Sequence, residues 1–211
     1  MRSAKVLEML NNGKIDELKA ELQDEIFTES LKGKPDAKKR YSAMKKYFTY
    51  AGSVRESLQK PCVVEFEGKQ YTSFCNSYSL ALTIESTGEM ELFGEPDRYP
   101  DVSRLIRFDG PERKIDFSKV LAEVKSKGYK LKKSEFFGNK YLMHYGGSFF
   151  RMVLVDSTFS IIDDGEEATV YHSENSNRPM TIKTSLGLAV IMPVRYEGDP
   201  EENGDIVVEV K

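Results

Sequence analysis

Residues 149–195 read FFRMVLVDSTFSIIDDGEEATVYHSENSNRPMTIKTSLGLAVIMPVR, and the way this stretch divides into elements decides the fold. Its close, Gly187-Leu188-Ala189-Val190-Ile191-Met192-Pro193-Val194-Arg195, is too apolar and β-branched for a surface loop. Pro193 ends it where a strand must cease pairing. Strand-like runs precede it at 149–155, 159–163, 168–172 and 180–184, and Asp164-Gly165 reads as a hairpin turn.

The same short apolar runs occur earlier. Between residues 61 and 85 they are CVVEFEG, KQYTSFC and YSLALTIE, with Gly68 as the turn between the first two. A further short run is expected at 90–93 and a loop at 94–101. Strands are expected at 102–108, 129–131 and 141–145. Asp109-Gly110-Pro111 ends the first of these, and Gly146-Gly147 turns the last back on the next. Residues 206–210 can add an edge strand.

Helical spacing appears in three places. Residues 3–31 carry Val6, Leu7 and Leu10, then Ile15, Leu18, Leu22 and Ile26, and Asn11-Asn12-Gly13 splits them into two short helices. After Gly33-Lys34-Pro35, Asp36 is a candidate N-cap for a helix over 37–52 with Ala37, Tyr41, Met44 and Phe48 inward. A helix over 116–127 turns Phe117, Val120, Leu121 and Val124 inward, and Gly128 ends it behind Lys125 and Lys127. From residue 36 onward the order is helix, strands, helix, strands. That is a pseudo-two-fold α+β plan: two helices packed on antiparallel sheets, preceded by a helical extension. The chain divides into a helical arm (1–34), the α+β domain (35–196) and an acidic tail (197–211).

Composition narrows the function. No run of apolar residues is long enough to span a bilayer, and the N-terminal stretch lacks the pattern of a secretory signal, so a cytoplasmic location is expected. Cys62 and Cys75 lack metal-ligand spacing and read as two reduced thiols. The formal net charge of −3 hides a polarised chain. Residues 32–60 hold nine Lys/Arg against Asp36 and Glu56, whereas residues 197–211 hold six acids against Lys211. A basic face can meet an anionic partner.

Three segments resemble one domain of the bacterial sliding clamp, the β subunit of DNA polymerase III. Val190-Ile191-Met192-Pro193-Val194-Arg195 is similar to that family's terminal strand, V-V-M-P-M-R. Arg151-Met152-Val153-Leu154-Val155-Asp156-Ser157 is similar to the strand after its second helix. VVEFEGKQYTSFCNSYSLA (63–81) resembles its hairpin ending T-D-G-H-R-L-A, keeping Leu80 and Ala81 but not the acid, the histidine or the arginine. Such a domain carries helices inside a ring and sheets outside. The resemblance thus implies sequence-blind contact with double-stranded DNA through Lys38, Lys39, Lys45, Lys46, Lys119, Lys125 and Lys127. It also implies an apolar cleft for partner peptides of replication proteins at Tyr78, Leu80, Val190, Met192, Pro193 and Val194, with Met192 adaptable to different guests. One domain per chain implies a homo-oligomer wherever a ring closes. The acidic tail, which follows the strand that ends the family's chain, is placed to cover that cleft.

The remaining motifs point to structure. Glu89-Met90-Glu91-Leu92-Phe93 only faintly matches the clamp-binding pattern Q-x-x-L-F. His144 and His172 each fall inside an expected strand, and Asp163-Asp164 with Glu166-Glu167 lacks the spacing of an EF-hand loop. Neither a phosphate-binding glycine loop, nor a dinucleotide fingerprint, nor a nucleophile elbow occurs. The sequence therefore predicts a non-enzyme without metal or cofactor: a clamp-like, DNA-associated processivity or docking factor, of the kind a phage or mobile element carries. The alternative is an interaction module on the same fold that does not encircle DNA.

Overall fold

The computed structural model describes residues 3–50, 55, 58–85, 87, 99–132, 135, 138–173, 177–200 and 202–210. Two helices, α1 (Ser3–Asn11) and α2 (Ile15–Ser30), form the arm and break at Asn12-Gly13 as the sequence predicts. Helix α3 (Pro35–Tyr50) opens the domain. It begins at Pro35, whose missing N–H costs nothing at a first helical position, so Asp36 lies in the first turn instead of capping it. Tyr41 and Met44 are buried as the stripe requires, and Tyr47, outside that stripe, is buried completely.

Next comes a meander of β1 (Cys62–Phe66), β2 (Lys69–Cys75) and β3 (Ser79–Thr83). Glu67 and Gly68 turn β1 into β2 with φ of 51° and 74°, the left-handed pair that a two-residue hairpin needs. Beyond it lie β4 (Glu112–Ile115), α4 (Phe117–Ser126), and the hairpin β5 (Tyr141–Tyr145) and β6 (Ser148–Arg151). Asp116 caps α4 by accepting the Lys119 amide at 3.1 Å. The chain then forms α5 (Met152–Ile162), a second meander of β7 (Ala168–Tyr171), β8 (Met180–Lys183) and β9 (Gly187–Ile191), and finally β10 (Ile206–Glu209).

One antiparallel sheet of seven strands runs β1-β2-β3-β9-β8-β7-β4. The two meanders meet through their last strands, with Ala81 opposite Ala189 and Leu80 opposite Val190. α3 leads into one meander and α5 into the other, and the two helices pack together on one face. Alternation divides the seam between the sheet's two faces. Ala81 and Ala189 belong to the core under the helices, whereas Leu80, Leu82, Leu188 and Val190 belong to a second core on the other face. Gly187 sits where a Cβ would run into the Leu82 carbonyl, so β9 can approach β3 there only as glycine. A smaller sheet, β10-β5-β6, packs against α5, with β10 parallel to β5.

Several sequence-based expectations are corrected. Met152 to Val155 and 159–163 are not strands: they are the single helix α5, so the segment compared with a clamp strand leaves β6 after Arg151 and becomes helical. Ten of the eleven residues of α5 are buried, because α3, α4, the large sheet and the small sheet enclose it. A helix buried on every side shows no stripe, and its Val and Ile content imitates a strand. The helix that precedes the second meander is consequently α5, although α4 does form over the predicted residues. Asp164-Gly165 links α5 to β7 and is not a hairpin turn.

Residues 102–108 form one 3-10 turn (Val102–Arg104) and irregular chain. Asp101 caps that turn through the Ser103 amide at 3.1 Å, and Val102 and Ile106 seal the second core. Residues 129–131 are irregular, with Tyr129 buried and its hydroxyl 3.4 Å from the Met152 carbonyl. β4 was not expected, since ERKI contains one apolar residue. The expected run at 90–93, the pattern at 89–93 and most of the loop at 94–101 lie outside the described residues.

Candidate functional site: an apolar cleft at the central seam

The Asn76-Ser77-Tyr78 turn shapes the site. Asn76 is buried, and its Oδ1 accepts the amides of Tyr78 and Ser79 at 3.0 and 2.8 Å. This holds Ser77 in the left-handed region at φ 76° and leaves Tyr78 half exposed. Across the seam, the Met192 amide donates to the Tyr78 carbonyl at 2.9 Å, which extends the β3–β9 ladder one step beyond Ser79 and Ile191. Tyr78, Leu80, Val190 and Met192 thereby line one cavity of about 440 Å³ on the face away from the helices. Leu58, Pro100, Leu105 and Pro179 complete its apolar walls, and Arg55, Arg104 and Arg107 add charge.

Of the six cleft positions implied by the resemblance, four converge here. Pro193 and Val194 do not line the cavity. The Val194 amide instead donates to the Phe149 carbonyl at 2.7 Å and ties the chain to β6. The acidic tail does not cover the cleft either. Its β10 joins the small sheet, held by the register Val207 to Leu142 and by Lys127, whose Nζ donates to the Val207 carbonyl at 3.1 Å. The walls from residues 99–107, Leu58 and Arg55 were missed, because a 3-10 turn far along the chain gives no periodic signal.

The lysines divide into two groups. Lys39 pairs with Asp163 at 2.9 Å, Lys45 with Asp24 at 2.6 Å, Lys119 with Asp116 at 2.9 Å and Lys127 with Glu123 at 3.0 Å. Lys38, Lys46 and Lys125 are exposed, and Lys125 lies close enough to the buried Asp156 carboxyl to favour its charged form. The helix packed beside α3 is α5, which has no lysine and offers no open face. Arg40, missed in the sequence, is buried where three elements meet. It donates to both Glu85 oxygens, at 2.5 and 2.7 Å, and to the Asp163 carbonyl at 2.8 Å.

The remaining polar groups serve the fold. His144 meets Glu209 at 2.8 Å and stacks on Phe149, whereas His172 is buried with Nε2 3.0 Å from Ser148 Oγ. The latter pair has the distance of a nucleophile and base, but both side chains are sealed from substrate. In the acidic turn, Asp164 accepts the Ser185 amide and hydroxyl at 2.9 and 2.8 Å, so its oxygens are already engaged. No cluster of three metal-ligating side chains occurs among the described residues. Cys62 and Cys75 are buried, and burial pushes both thiols up; Cys75 forms part of the cleft wall.

Asp156 on α5 is buried beneath Lys125, Tyr129, Ser160 and Lys39, and burial pushes its carboxyl up despite those partners. Its folded state therefore holds the proton more tightly than the unfolded chain does. Stability is lost as pH rises from the ordinary aspartate value through the raised folded one. Asp156→Asn, neutral at every pH, should be more stable than the parent at neutral pH, and that gap should narrow on acidification towards the ordinary value. Urea unfolding across this range measures it, and a gap that does not change with pH would contradict the assignment.

Compared with known proteins, the chain matches no family model, no curated protein and no solved structure.

Proposed function

We propose that this chain is a non-enzymatic docking module on a clamp-like domain, receiving a hydrophobic segment of a partner protein in the cleft at the β3–β9 seam. The observation that carries this reading is the convergence of Tyr78, Leu80, Val190 and Met192, from two distant stretches, on one half-open apolar cavity. The connectivity supports the clamp-like assignment. A helix followed by a three-stranded meander occurs twice, and the two halves join through their last strands. The cavity volume lies in the range that accepts a ligand or a few large side chains. Tyr78 and Met192 stand half exposed at its mouth, where an aromatic ring and a flexible thioether suit an anchor contact.

Selection of short random displayed peptides against the full chain tests this directly. Peptides rich in large apolar residues should be enriched, and Met192→Glu should weaken their binding by roughly 30-fold, the scale of one interface hot spot. Peptides that bind parent and variant equally would place docking elsewhere.

Contact with duplex DNA is the second reading, favoured by Lys38, Lys46 and Lys125, which stand exposed on α3 and α4. It predicts sequence-blind binding that falls steeply with salt and is lost in the double variant Lys38→Glu, Lys46→Glu. A ring would in addition require a homo-oligomer, visible by light scattering. Undetectable duplex binding at low salt would remove this reading.

A further inference from the structure

The cleft's charge is as distinctive as its apolarity. Among the described residues its lining includes Arg55, Arg104 and Arg107 and no aspartate or glutamate, in a chain whose formal net charge is −3. The arginines come from two separate stretches of the chain, and all three border the apolar floor. Their backbones are anchored. Arg104 ends the 3-10 turn capped by Asp101, and the Arg107 amide donates to Thr181 Oγ1 on β8 at 3.4 Å. Their side chains remain largely in solvent: Arg104 is 83% exposed and Arg107 50%. Among the described residues each pairs with one surface acid, Asp101 at 3.0 Å and Asp109 at 4.0 Å, and neither acid lines the cavity. Such exposed pairs are weak and exchange readily for a better-placed carboxylate.

We infer that the occupant is an acidic-apolar peptide segment of a partner protein, in which Asp or Glu residues flank the large apolar side chains that fill the cleft. This rests on the docking reading and adds the partner's chemistry to it. The apolar side chains bury against Leu80, Val190 and Met192, and the flanking carboxylates take fork-like hydrogen bonds from the guanidinium groups. Charge at such a rim acts mainly on encounter rate and on discrimination between partners, so basic segments of equal apolarity are rejected. A medium-chain fatty acid offers the same pairing of tail and carboxylate. It brings only one charge, however, to a rim that holds three arginines.

The peptides selected above provide the probe. Their enriched sequences should place Asp or Glu beside the apolar anchors. Fluorescence anisotropy of one such labelled peptide with the full chain should show affinity falling roughly tenfold in Arg104→Glu or Arg107→Glu, and falling with added salt. Both substitutions are at exposed positions and leave the core intact. Replacing the peptide's acids by lysine should restore binding to the charge-reversed chain and abolish it for the parent. Enriched peptides that are neutral or basic, and indifferent to these arginines, would overturn the inference and leave docking standing. Peptides indifferent to Met192→Glu would overturn the docking reading itself. Saturable binding of sodium decanoate that is lost in Met192→Glu, with no peptide enriched in the selection, would make the cleft a carboxylate-tail site and overturn the peptide assignment.

Discussion

The antiparallel pairing of β3 with β9 is the constraint on which the rest depends. It joins two meanders that are separate in sequence, and it brings Ala81 opposite Ala189 at the centre of a seven-stranded sheet. Two alanines there let helix α5 approach the sheet closely, where larger side chains would hold it off. Buried polar bonds fix the result. Tyr47 of α3 lies 2.9 Å from the Ser79 hydroxyl, and Thr158 of α5 donates to that same hydroxyl at 2.9 Å. Arg40 supplies a second tie, joining α3 to the chain after β3 and to the end of α5. Removing one member of such a buried charged set typically costs about 3–5 kcal/mol, because its partner is left unpaired.

The same seam gives the sheet two usable faces. Small residues point towards the helices, while Leu80, Leu82, Leu188 and Val190 point the other way and require cover. Residues 99–107 provide part of that cover, leaving a gap above Leu80 and Val190. The cleft is thus a consequence of how the outer core is closed. Its positive rim arises because the covering turn carries Arg104 and Arg107 at its solvent edge. On the opposite face α5 is enclosed, which separates the lysines of α3 from any second open helix.

Helices with a single buried face, and short strands bounded by turns, were legible in the sequence. The arm helices, α3 and α4 showed helical spacing, and the strands of the first meander and β7 to β9 stood out as short apolar runs bounded by turns. Four cleft positions were reached through a resemblance carried by the V-I-M-P-V-R run and the hairpin before Ala81. α5 was illegible for a physical reason: a helix packed on all sides needs no polar stripe, and MVLVDSTFSII therefore reads as strands. The cover of the outer face was also hidden, because Val102 and Ile106 sit in a 3-10 turn and irregular chain whose burial depends on distant strands. Arg40 looked like one more cation in a basic helix, since its partners Glu85 and Asp163 are remote in sequence.

Native-state hydrogen exchange tests the central claim most directly, since it reports which amides open only when the whole fold opens. If the β3–β9 seam unites the two halves, the amides of Ala81, Leu82, Ala189 and Ile191 should exchange together with those of α5, at the free energy of global unfolding. The two halves opening separately, with the seam exchanging faster than either meander, would contradict the account.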